Sequence, residues 1–360
     1  MVEPTSPVKW KSSTTEQVQM EGELFKVQYT LKDIHKLSIN SIKISPDGST
    51  FATCSSDCTI KVFRLSDGEL VTELNGHTRG ISDLEYSPIN PDIIASCSDD
   101  LTIRLWSIKR SKCIKILKKH TYHITAIKFS SKGNVLISGS ADETITIWDL
   151  SSGKSLRTLA AHSDPVSSIS LTPDNSIIIS SSYDGLMRLF DLETGQCLKT
   201  LIYNSASHGT ATASTNEAVN FPVSNTEVSP NGKYILSSSL DGVIRLWDYM
   251  ENKVIKTYYG EKDTPISTKF ICGAKFITKT KEPKIVSGSE LSGILVWDVQ
   301  SKEIVFQFKA KSPVLQVDIF DQGGILVSCS TDGIVNVLNL NSVYKDEQNS
   351  VSSMSTSPQP

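Results

Sequence analysis

The stretch Ser180-Ser181-Ser182-Tyr183-Asp184-Gly185-Leu186-Met187-Arg188-Leu189-Phe190-Asp191 decides the fold. Its serines close one strand-like run, Asp184-Gly185 supplies turn chemistry, and an alternating segment leaves the turn and ends on an aromatic residue followed by an aspartate. Working outward, the same pattern recurs as Ile60–Arg64, Ile103–Ser107, Ile145–Asp149, Ile244–Asp248, Leu295–Asp298 and Val335–Asn339. The aromatic-equivalent positions are 63, 106, 148, 190, 247, 297 and 338, with successive intervals of 43, 42, 42, 57, 50 and 41. Six residues before them stand Asp57, Asp100, Asp142, Asp184, Asp241 and Asp332, with Leu291 the exception. In the first four copies His35, His77, His120 and His162 precede the aromatic position by 28 or 29 residues. Glu261 and Lys311 stand near that place in the sixth and seventh copies.

Each copy reads as four short strands, and none holds a ten-residue segment of helical period. In the fourth copy the strands are expected at 166–171, 176–181, 186–191 and 196–200. A sheet this small cannot bury both of its faces, whereas seven set radially cover one another. The seventh copy runs from Asn339 to Tyr344 without an outer strand, while Lys26–Leu31 is unused ahead of the first. That strand is therefore expected to complete the last sheet and clasp the ring. Residues 25–340, less surpluses of 15 and 8, number 293, against 294 for seven repeats of 42. The fold class is all-β, a seven-bladed propeller. Segments 1–24 and 341–360 are expected to be disordered tails, the second Ser-rich, with Ser357-Pro358 a weak phosphorylation signal. Tyr203–Phe221, rich in Ser, Thr, Ala and Asn, reads as a flexible insertion, and Lys275–Lys284, with four lysines, as a longer loop within blade six.

The His–Asp pairs recur at fixed spacing in several copies, which a structural hydrogen-bond network produces and a single asymmetric catalytic site does not. A histidine would bond the turn aspartate, with a serine and the Trp indole completing the set. His123 and His208 lie outside the repeat. No phosphate loop, G-x-S-x-G, H-E-x-x-H or catalytic-cysteine motif is present, so neither catalysis nor a cofactor or metal is expected. The seven cysteines are odd in number and scattered, which favours neither a zinc site nor a disulfide framework. A net charge of −3 argues against nucleic-acid binding by bulk charge. The small basic spots Lys109-Arg110 and Lys118-Lys119 read as solvated strand ends. No apolar run reaches membrane-spanning length and Met1–Met20 has no secretory apolar core, so the chain is expected to be intracellular and reduced.

This punctuation resembles that of WD-repeat β-propellers over residues 25–340. Ala161–Ser167, Ser180–Gly185, Gly195–Leu201, Ser229–Leu236 and Lys302–Val305 are similar to the WD-repeat scaffold of COMPASS/MLL-type histone methyltransferase complexes. The resemblance implies a non-catalytic, nuclear subunit that docks a SET-domain methyltransferase acting on the histone H3 tail, in chromatin methylation and transcription regulation. It implies two docking surfaces. At the channel mouth, family positions fall on Ser82, Asp99, Thr125, Ser167 and Tyr183. Two phenylalanines that clamp an arginine in the family fall on Thr125 and Gly273, and a further pocket aromatic on Ala141. Neither clamp position offers a π face, so about 0.5–2 kcal/mol of cation–π attraction is missing and an arginine peptide is expected to bind poorly. A cleft between blades five and six, on Asn231, Tyr234, Leu246 and Phe276 with Phe306 in place of a polar residue, would take a second WD-repeat subunit. The histone H3 tail is a further candidate partner; membrane and sequence-specific nucleic-acid binding are not expected. The rivals are an adaptor or substrate receptor of another complex, such as a ubiquitin ligase, and a propeller enzyme.

Overall fold

A computed structural model describes residues 23–203 and 221–344. The tail residues 1–22 and 345–360, with Ser357-Pro358, and the insertion residues 204–220, with His208, lie outside the described residues. The rest forms seven four-stranded antiparallel sheets around one axis, a seven-bladed propeller. The fourth sheet, for example, has strands Val166–Leu171, Ile177–Ser182, Leu186–Asp191 and Cys197–Ile202. Within each sheet, sequence neighbours pair in order, and the first strands pack against one another around the axis. Among the described residues there are no α-helices, only short 3₁₀ turns such as Glu261–Asp263 and Ser342–Tyr344.

The ring closes through the N-terminal strand. Phe25–Leu31 pairs antiparallel with Val335–Leu340, Phe25 facing Leu340 and Leu31 facing Val335, so both chain ends share blade seven. The folded part extends slightly past the expected limits at both ends. Leu24 is 4% exposed and packs in the core with Leu340, and Asn341 donates its N–H to the Leu24 carbonyl (2.9 Å). Leu24, just ahead of the strand, is packed because its apolar side chain reaches the blade six–seven core.

Apolar clusters fill the gaps between adjacent blades, as alternation on both faces of each strand requires. Trp106, Trp148 and Trp297, on the third strands of blades two, three and six, are fully buried there. The surplus of blade six is not confined to Lys275–Lys284. That blade's first strand is Ala274–Ile277, and the outer strand of blade five ends at Tyr258. Most of the extra chain lies between them, as a 3₁₀ turn at Glu261–Asp263 and an irregular run to Gly273. Lys284 begins the second strand and its ammonium meets the Asp298 carboxylate (3.4 Å).

Candidate docking sites on the propeller

At the top of blades two and three, a chain of side chains ties the turn to the core. Trp106 Nε1–H donates to Ser96 Oγ (2.8 Å), Ser96 meets His77 Nε2 (2.7 Å), and His77 Nδ1 meets Asp100 (2.8 Å). Trp148, Ser138, His120 and Asp142 repeat the chain at 2.8, 2.7 and 2.9 Å. With the indole and hydroxyl donating inward, the imidazole carries its proton on Nδ1 and donates it in a hydrogen bond to the aspartate. Blade four keeps Ser180, His162 and Asp184, and blade one Thr53, His35 and Asp57, each with a phenylalanine in place of tryptophan. Burial lowers the basicity of His35 and His77 more than their aspartates raise it, so both are neutral near pH 7. Burial alone would raise Asp57, but donors from Thr59 and Lys36, with His35, outweigh it and hold the carboxyl at about 2.

The other blades solve the same turn differently. In blade five Arg245 pairs with Asp241 and stacks on Tyr203, its guanidinium 3.7 Å from the ring centre. In blade six the loop N–H groups of Thr268 and Lys269 donate to Glu290 (3.0 and 3.3 Å), one residue before Leu291, which is 74% exposed. Neither Glu261 nor Leu291 joins a histidine chain there. In blade seven the Ser330 hydroxyl donates to Asp332.

A cavity of about 460 Å³ opens into the central channel. Ser82, Asp99, Thr125, Ser167, Tyr183 and Gly273, which sequence reasoning placed at the channel mouth, all line it. Ala141 does not; its N–H bonds the His123 carbonyl (2.9 Å) in the blade-three turn. Two of the expected contact hydroxyls are already engaged. Thr125 donates to the Val166 carbonyl (2.5 Å) and Ser167 to that of Val223 (2.6 Å), each stitching its blade to the next. The mouth is also less bare of rings than expected. His123, Tyr183 and Phe270 line it, and Phe270 arrives there because the blade-six surplus precedes Gly273. Asp83 and Asp99 face the cavity and form no ion pair among the described residues. Burial raises the Asp83 carboxyl, with Lys43 opposing and Glu85 adding to the shift.

The channel walls carry a pattern that reading the strands one by one missed. At one equivalent position on the seven first strands stand Lys43, Glu85, Lys128, Ser170, Glu227, Lys275 and Asp318. Glu85 bridges Lys43 (3.4 Å) and Lys128 (2.6 Å), and Lys275 bridges Glu227 (2.8 Å) and Asp318 (4.0 Å). Signs cannot alternate around a ring of seven, so one place must be neutral or two like charges must meet; Ser170 is the neutral place. Burial opposes the charge of Glu85, but Lys128 and Lys43 outweigh it and hold the carboxyl at about 2. Aligning the copies column by column would have shown the alternation.

A model of the WDR5 beta-propeller domain matches residues 30–339. The chain belongs to the WDR5 beta-propeller family. WD40 propellers are generally non-catalytic scaffolds. COMPASS component SWD3 of Saccharomyces cerevisiae is 32% identical over 119 residues, 31% of this chain and 37% of that protein. U3 small nucleolar RNA-associated protein 13 of the same yeast is 38% identical over 65 residues, 18% of this chain and 8% of that protein. Nuclear distribution protein nudF 2 of Aspergillus clavatus is 46% identical over 52 residues, 14% of this chain and 12% of that protein. The matched segments span little more than a third of these relatives at most, and the three relatives carry unrelated names.

Within this WDR5-family propeller, Tyr234, Leu246 and Phe276 come together at the seam of blades five and six. Leu246 is only 4% exposed and lies in the core, with Tyr234 and Phe276 half-buried against the same cluster. Asn231 is held in its turn, accepting from the Ser229 hydroxyl (2.6 Å) and the Lys233 N–H (3.1 Å). Phe306 does not share this seam. It lies on the opposite face of blade six, edge-on to Phe25 at 5.5 Å, because strand alternation turns it toward blade seven.

Proposed function

We propose that this chain is a non-catalytic scaffold subunit of a nuclear SET-domain histone H3 lysine methyltransferase complex of the COMPASS type. The methyltransferase docks at the channel mouth, and a second WD-repeat subunit docks beside Tyr234 and Phe276. The observation that carries the reading is the cavity itself. It joins Ser82, Asp99, Ser167 and Tyr183 at one mouth, where Asp99 forms no ion pair among the described residues and Asp83 feels only the field of nearby Lys43. Carboxylates and lysines share its wall, so the mouth suits a partner segment that offers both donors and acceptors, whose polar contacts strengthen where water is excluded. Family membership and the partial similarity to a COMPASS component support the same assignment.

Affinity purification of the tagged chain from nuclei, followed by mass spectrometry, tests it. A SET-domain protein should co-purify with wild type and be lost with Asp99→Ala. Recovery of cullin-type ligase components without a SET-domain protein would favour the adaptor reading and overturn this one.

A further inference from the structure

The outer strand of each blade carries one position that faces the next blade, opposite the residue before the third-strand aromatic place. At three seams it is a lysine that clamps two turn carbonyls of the following blade. Lys115 donates to Leu150 and Ser151 (2.8 and 3.1 Å), Lys199 to Tyr249 and Met250 (2.9 and 2.7 Å), and Lys256 to Val299 and Gln300 (2.8 and 3.0 Å). Three more seams are closed by other means. The Tyr29 hydroxyl donates to Leu65 (2.7 Å), Thr72 bonds Ser111 (2.7 Å), and Phe306 meets Phe25.

The seam between blades three and four has none of these. Its residue is Arg157, opposite Ile147. The side chain lies against Gly195 as Lys115 lies against Gly153, yet its guanidinium is exposed and makes no hydrogen bond among the described residues. The equivalent carbonyls, of Leu192 and Glu193, accept no hydrogen bond there either. In place of the clamp is a groove of about 560 Å³. Leu156 (61% exposed), Val135, Ile147 and Leu192 form its apolar wall, and Asp191 and Glu193 its acidic end.

We propose that this open seam docks an extended partner segment presenting a lysine beside an aliphatic residue. The lysine takes the place that Lys115, Lys199 and Lys256 hold at the closed seams. Two carboxylates and two uncapped carbonyls against one guanidinium leave the groove rich in acceptors and net negative, which selects a cation over an acidic segment. The aliphatic neighbour covers Leu156 and Leu192, where burial in a formed pocket adds affinity. Neither the site nor its partner depends on the complex proposed above.

The test uses a fluorescein-labelled peptide of sequence Gly-Gln-Ser-Leu-Lys-Thr-Leu-Gly, which follows Gly195–Leu201 around Lys199 with serine in place of Cys197 and a terminal glycine, and fluorescence polarisation against the full chain at low salt. Saturable binding is expected, at least tenfold weaker for the same peptide with glutamate in place of lysine. Arg157→Lys should close the seam from within, raise the melting temperature slightly and weaken the lysine peptide at least fivefold. Leu156→Ser, an exposed change that leaves folding intact, should weaken it several-fold. Absence of saturable binding to wild type, binding of the glutamate peptide as tight as that of the lysine peptide, or undiminished binding by Arg157→Lys would overturn the proposal.

Discussion

Blades one to four carry a histidine–hydroxyl–aspartate chain at each top turn; blades five to seven hold the same turn with an arginine–aspartate pair, a glutamate and a lone serine–aspartate bond. The backbone is the same four-stranded blade throughout. What the turn requires is therefore an acceptor for loop N–H groups and a bridge between strands, and the residue that supplies them is exchangeable. Irregularity is concentrated where the chain is longest: the unusual turns of blades five and six adjoin the two surplus segments, and one surplus brings Phe270 to the channel mouth. The regular half repeats one turn, and the irregular half adds Phe270 to a mouth that both halves line.

The largest effect should come from breaking what both halves share. Deleting Phe25–Leu31 removes the strand that closes blade seven, and the truncated chain should lose its single cooperative unfolding transition in urea. Retention of a compact, cooperative monomer would contradict closure as the source of stability. Next, the two halves of the channel ring differ in redundancy. Glu85→Gln leaves Lys43 and Lys128 without their shared anion and should cost about 3 kcal/mol in urea unfolding. Glu227→Gln should cost less, about 1 kcal/mol, because Lys275 keeps Asp318. Equal costs would mean that the ring is not a set of local bridges.

Smaller again is the contrast at the turns. His120→Ala leaves Asp142 and Ser138 short of partners and should cost about 2 kcal/mol. Leu291→Asp, which restores the repeat pattern in blade six, should change stability by less than about 0.5 kcal/mol, since Glu290 already holds the loop N–H groups. The mildest difference lies in pH dependence. His35 and His77 are less basic folded than the ordinary imidazole at 6.5, so the unfolded chain binds more protons below that value. Their contribution is complete above pH 6.5 and is lost as pH falls toward the folded values. Asp57 loses its own contribution between 3.8 and about 2. Urea midpoints should therefore decline from pH 7 to pH 5, and the decline should flatten in the His35→Gln, His77→Gln double variant; an unchanged slope there would assign the acid sensitivity elsewhere.

The sequence by itself determined the number of blades, the strands within them, and the closing role of Lys26–Leu31, because repeated turn chemistry and two-residue alternation are local signals that survive without a third dimension. It also named residues that line the channel cavity, through resemblance rather than through geometry. Only the tertiary structure decided which face a side chain met. Phe306 turned to Phe25, Phe270 reached the mouth, Thr125 and Ser167 spent their hydroxyls on neighbouring blades, and charges from six strands met in one ring. Those outcomes depend on contacts between residues about 40 or more positions apart, and on which of two faces a strand turns inward, and no short window of sequence contains either.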